Sequence, residues 1–138
     1  DVVDSRMAAW FGTRLGKRVR TVIDGIIDRA IASGAIQQDR GFLQLEPATG
    51  IRRRDANDCP VTRAEHIPPA EYELAVRVAL REAMGIAPDH LAGAVRDLFG
   101  FKRTGKRLQE EIDAAVQRLK ARGEVVEDGQ GFLVLKSA

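Results

Sequence analysis

The chain predicts a mainly α fold with small β-hairpins. Two observations carry this expectation. Apolar residues recur at helical spacing through three segments of the C-terminal half, and a block ending in a hairpin pattern occurs twice. Hydrophobic residues make up 44% and charged residues 30% of the 138 positions, which is enough apolar material for a core of its own. The length fits one ordinary domain or two small ones.

The C-terminal half reads as three helices and a hairpin. Residues 69–84 form the first helix. Pro68 and Pro69 mark its start, Tyr72, Val76, Leu80 and Met84 repeat along one face, and Gly85 ends it. Pro88 suits the first turn of the second helix, where its missing N–H costs nothing. Leu91, Ala94, Val95, Leu98 and Phe99 then form one apolar stripe, closed by Gly100. A third helix covers 104–122, with Leu108, Ile112, Ala115, Val116 and Leu119 inward and Gly123 at the C-terminal cap position. EVVEDGQGFLVL follows as strand, glycine turn, strand. This order is that of a winged helix-turn-helix.

The repeat places a second copy of the pattern in the N-terminal half. Residues 14–45 align with 103–135 with one residue inserted in the second hairpin, and fourteen positions are identical. They include Arg14/Arg103, Gly16/Gly105, Lys17/Lys106, Arg18/Arg107, Ile23/Ile112 and Gly34/Gly123. Val3, Met7, Trp10 and Phe11 carry helical spacing ahead of this block and align with the second helix of the other unit. Nothing before Asp1 supplies a first helix, so the chain reads as starting inside a domain. The expected fold is therefore a tandem winged helix-turn-helix whose first unit lacks its first helix. Residues 1–46 are the partial unit, 47–67 a linker holding Pro47, Gly50 and Pro60, and 68–138 the complete unit. The two leucines of each hairpin (Leu43 and Leu45; Leu133 and Leu135) are expected to pack on the third helix, near Ile26 and Ala115, with Phe42 and Phe132 turned the other way.

Several classes are disfavoured. No apolar run approaches a membrane span, and no signal peptide is visible, so a cytoplasmic location is expected. One cysteine, Cys59, excludes an internal disulfide framework. His66 and His90 lack metal-ligand spacing, and no nucleophile or carboxylate constellation suggests catalysis. The fragment is expected to be noncatalytic, with no cofactor.

The informative feature is the distribution of charge, since the net charge is only +2. FKRTGKR (101–107) crowds Lys102, Arg103, Lys106 and Arg107 onto the start of the third helix, and FGTRLGKR (11–18) does the same with Arg14, Lys17 and Arg18. A helix start already carries about half a positive charge, so cations there are repelled unless an anion joins them. A polyanion reverses the sign: backbone N–H groups, helix dipole and side chains all point at phosphate. The third helix of a winged helix is the recognition element, and its hairpin can touch the flanking backbone. Arg14, Lys17, Arg18, Arg20, Arg40, Lys102, Arg103, Lys106 and Arg107 are thus the candidate DNA-binding residues, with duplex favoured over single strand. The competing reading is a solvated turn whose arginines pair with nearby carboxylates. The first unit is the stronger candidate, because the second continues into Glu110 and Glu111 and has an acidic wing with Glu124, Glu127 and Asp128. Arg52, Arg53 and Arg54 read as a solvated loop before a minor-groove arm. Trp10, Phe11 and Phe99 read as core, leaving only Phe101 open for base stacking.

IPPAEYELAVRVAL, then FGFKRTGKR, then GEVVEDGQGFLVL resemble an uncharacterised bacterial winged-helix domain. That domain sits at the C-terminal end of large superfamily 1 helicase-like proteins, often near an endonuclease-like domain. The resemblance covers roughly residues 66–135, with GFKRTGKR its most specific piece. It implies a DNA-processing or defence-related parent protein and, as partners, DNA and the other domains of that parent. It supplies no catalytic residues. GFKRTGKR approaches a nucleotide-binding loop, but Arg107 stands where a magnesium-binding hydroxyl is required. The alternative function is a protein-interaction module docking on the parent enzyme or a partner subunit.

Overall fold

The structure, a computed structural model, describes residues 7, 9, 10, 12, 16–45, 50, 51 and 63–136. Gly16 and Gly105 stand in extended backbone, with φ −75°, ψ 160° and φ −79°, ψ 164°. From each the chain turns directly into a helix of 16 residues: α1 (Lys17–Ala32) and α4 (Lys106–Ala121). Both helices end alike. Gly34 and Gly123 adopt φ +75° and +70°, a left-handed conformation that glycine enters without steric penalty. Gly34 N–H donates to Ile31 O and Ala35 N–H to Ala30 O. Gly123 N–H donates to Lys120 O and Glu124 N–H to Leu119 O. These are the paired bonds of a Schellman cap. The repeat read from the sequence is thus also a repeat of backbone geometry.

The chain is mainly helical, with two small antiparallel strand pairs. It divides into the units Asp1–Glu46 and Pro47–Ala138. In the first unit α1 is followed by β1 (Gln37–Asp39) and β2 (Phe42–Gln44), paired Gln37↔Gln44, Gln38↔Leu43 and Asp39↔Phe42. In the second a 3₁₀ turn (Ala64–His66) leads into α2 (Pro69–Ala83), α3 (Pro88–Phe99) and α4. These are followed by β3 (Val125–Glu127) and β4 (Leu133–Leu135), paired Val125↔Leu135, Val126↔Val134 and Glu127↔Leu133. Among the described residues no helix is long and apolar enough to cross a membrane.

The core of the second unit lies between its three helices and hairpin. Tyr72, Val76 and Leu80 of α2, Leu91, Val95 and Phe99 of α3, and Ile112, Ala115 and Leu119 of α4 are buried together. Tyr72 and Phe99 meet edge to face, centroids 5.2 Å apart at 76°. Burying side chains of this size contributes about 1.5–3 kcal/mol each. The unit reaches back into the segment before Pro68: Ile67 is buried, Ile51 and Ala64 pack on the core, and Tyr72 OH donates to Ala64 O at 2.9 Å. The hairpin is tied in from the other side. Ile86 and Leu133 exchange both backbone hydrogen bonds, at 3.0 and 2.9 Å, so β4 grips the turn between α2 and α3.

Three expectations need correction. Met84 is 88% exposed and lies beyond the α2 stripe. Four-residue steps rotate about 40° too far each on a 3.6-residue helix, and three of them carry Met84 off the buried face, where Ala75 and Ala79 sit instead. Met84, not Gly85, is the left-handed residue that ends α2, with φ +56°. In the first unit Leu45 is 77% and Trp10 88% exposed, so neither belongs to a core as expected. Leu43 is half-buried, whereas Ile26, its expected neighbour, is 48% exposed. The second hairpin follows expectation: Leu133 is buried, Leu135 packs on the core and Phe132 is partly exposed, at 39%. Val3 and Phe11 lie outside the described residues.

Candidate nucleic-acid interface

The repeated helix starts share their chemistry as well as their backbone. The first intrahelical bonds are Arg20 N–H to Gly16 O, 3.1 Å, and Gln109 N–H to Gly105 O, 3.0 Å. The N–H groups of residues 17–19 and 106–108 precede them and are left over by helix geometry. Neither start has a side-chain cap or an acidic residue in its first turn. Lys17, Arg18 and Arg20 are exposed at one; Lys106 and Arg107 are exposed at the other, with Lys102 and Arg103 in the bend just before it. Cation heads, orphan N–H groups and the positive end of the helix dipole thus share one surface at each start.

One turn further along, the two starts diverge. Arg107 pairs with Glu111 at 2.7 Å and Glu110 at 3.6 Å, and Lys106 reaches Glu110 at 4.0 Å. Thr21 and Val22 occupy the equivalent positions of α1. Thr21 Oγ1 turns inward and donates to Lys17 O. Among the described residues no carboxylate pairs with Lys17 or Arg18. Lys17 and Arg18 therefore keep their positive charge, whereas the second start is partly neutralised along its own helix.

The acidic hairpin of the second unit is also partly neutralised within the fold. Glu124 accepts from Arg77 and Arg122, at 2.8 and 2.7 Å, and Glu127 accepts from Lys120. Asp128 Oδ1 accepts the backbone N–H groups of Gln130 and Phe132, fixing the hairpin turn. The repulsion expected from this hairpin is accordingly weaker than the sequence suggests. Behind it, Glu73 on α2 accepts from Arg118 and Arg122 of the α4 end, and its side chain is only 13% exposed. Burial alone would push the Glu73 carboxyl up, but the hydrogen bonds from Arg122 and Arg118 outweigh it and hold it below the usual carboxylate range. Hydrogen bonds from Arg122, then Arg77, lower Glu124 as well.

Of the other candidates, Arg40 sits in the first hairpin turn in a left-handed conformation, φ +47°, with Asp39 3.9 Å away. Arg14 and the triplet Arg52, Arg53 and Arg54 lie outside the described residues. Phe101 is no stacking platform: it is half-buried, packs on the core and meets Phe99 edge to face at 6.3 Å. A groove of about 300 Å³ runs along α3, α4 and Leu133, with an apolar floor at Leu91 and Ile112 and polar side chains such as Asp113 and Lys120 in its walls. Among the described residues no three His, Cys, Asp or Glu side chains are grouped to hold a metal ion. The sequence reading missed the Glu73–Arg118–Arg122–Glu124–Arg77 network, in which Glu73 and Arg77 of α2 meet partners 45 to 49 residues away. Arg29, repeat partner of Arg118, was visible only as one of the fourteen identities. No protein-family model, curated protein or solved structure matches the chain.

Proposed function

We propose that the chain is a tandem of winged helix-turn-helix units. In this reading it serves as a noncatalytic module that holds duplex DNA through phosphates within a larger helicase- or nuclease-like protein. The observation that supports this most is the duplicated helix start: uncapped, free of acid in its first turn and flanked by exposed lysine and arginine, in both units. Such a surface is unfavourable alone and favourable against a polyanion. The first unit is the stronger contact, because Thr21 and Val22 leave Lys17 and Arg18 uncompensated. The pairing of Arg107 with Glu110 and Glu111 favours the second reading for the other unit, a protein-docking role.

Titration of a labelled duplex at several salt concentrations tests this. The chain should bind with affinity that falls steeply as salt rises. Lys17→Glu with Arg18→Glu should remove most binding, independently of DNA sequence. Lys106→Glu with Arg107→Glu should remove less. Each lost phosphate contact should flatten the salt slope by about one unit. Absence of salt-sensitive binding at low ionic strength would leave the docking role as the reading.

A further inference from the structure

The duplication allows the faces of α1 and α4 to be compared position by position, and they are buried very differently. Leu108, Ala115 and Leu119 of α4 are buried, whereas their counterparts on α1 are open: Val19 and Ile26 are exposed and Ala30 is half-buried. In the second unit α2 packs against α4. It brings Ala75, Val76, Ala79 and Leu80, a stripe at i, i+1, i+4 and i+5, and Glu73 two residues ahead of it. Glu73 accepts from Arg118 at 2.6 Å. Arg29 is the identical repeat position on α1. It is exposed, and among the described residues no carboxylate pairs with it. The open face thus carries both halves of the complementarity that seats α2: an aliphatic stripe and, at its C-terminal end, a guanidinium.

We infer that the α1 face around Ile26, Ala30 and Arg29 is the seat of an amphipathic helix of a partner protein. That helix has a small-aliphatic stripe like that of α2 and a carboxylate that pairs with Arg29 as Glu73 pairs with Arg118. Ile26 replaces Ala115 and Ala30 replaces Leu119, so the two faces offer the same total volume to such a stripe. This inference stands on the repeat and the packing of α2, not on DNA binding, and its test is independent of salt-sensitive DNA affinity.

The test uses the full chain and a fluorescein-labelled peptide with the sequence of residues 67–84, followed by anisotropy. Saturable binding is expected. Arg29→Glu should weaken it at least about tenfold, the scale of one charge-assisted hydrogen-bonded pair. Glu73→Arg in the peptide should restore the affinity lost in the Arg29→Glu chain. Ile26→Asp, a change at an exposed site, should also abolish binding while circular dichroism stays unchanged. Binding that ignores Arg29→Glu and Ile26→Asp overturns the inference. So does an absence of binding, or sedimentation showing that Ile26→Asp dissociates a dimer of the chain, which would assign the face to a second copy.

Discussion

Glu73 accepts from two guanidinium groups while only 13% exposed, and this position sets how the second unit responds to acid. Its folded-state carboxyl lies below the ordinary value of 4.5. A carboxylate lowered by folding stabilises the fold fully above its unfolded value, and that contribution fades as pH falls through the folded one. Thermal melts of the chain between pH 6 and 3 should therefore show stability dropping below about pH 4.5, and Glu73→Gln should flatten that acid limb. At neutral pH Glu73→Gln should cost about 2–3 kcal/mol in urea denaturation, since Arg118 keeps its burial and loses its counter-charge. None of this is legible in the sequence. Local patterns report neighbours three or four residues apart, and the partners of Glu73 lie 45 and 49 residues away. The local pairs were foreseeable: Arg107 with Glu110 and Glu111 follows from helical spacing alone.

At the scale of elements, glycines in the second unit should respond to alanine with opposite sign. Gly85 has φ +146°, and a Cβ there would stand 3.1 Å from Val134 Cγ1, beside the hairpin that grips this turn. Gly93 lies inside α3, with nothing within 4 Å of its added Cβ. Gly85→Ala should destabilise by about 1–3 kcal/mol, through strain and overpacking. Gly93→Ala should stabilise by about 0.5–1 kcal/mol through helix propensity. Urea midpoints of the two variants against the parent check both signs. The elements themselves were readable. Prolines and glycines placed α2 and α3 within a residue or two of Pro69–Ala83 and Pro88–Phe99, because both residues act on the local backbone. Less readable was which residue ends α2. Gly85 looks like the cap, yet Met84 takes the left-handed conformation, and the glycine is held by its approach to Val134.

For the molecule as a whole, the two units share a backbone plan and differ in how much they bury. Ile23 is the one buried hydrophobic residue among the described residues of the first unit, whereas the second assembles a continuous core from three helices and a hairpin. Amide hydrogen exchange should therefore be markedly faster along α1 than along α4, despite their equal length and matching caps. Equal protection of the two would mean that the α1 face is covered in solution. The sequence conveyed the repeat but not this inequality, because periodicity marks a face as apolar without saying what lies against it. The clasp between Ile86 and Leu133 bears on how the second unit comes into being. During synthesis α2, α3 and α4 can each coil as they leave the ribosome, but the turn after α2 finds its backbone partners only when Leu133, 47 residues later, has been added. Until then the nascent helices hold an apolar surface open to solvent or to a chaperone, and β4 acts as the latch that shuts it.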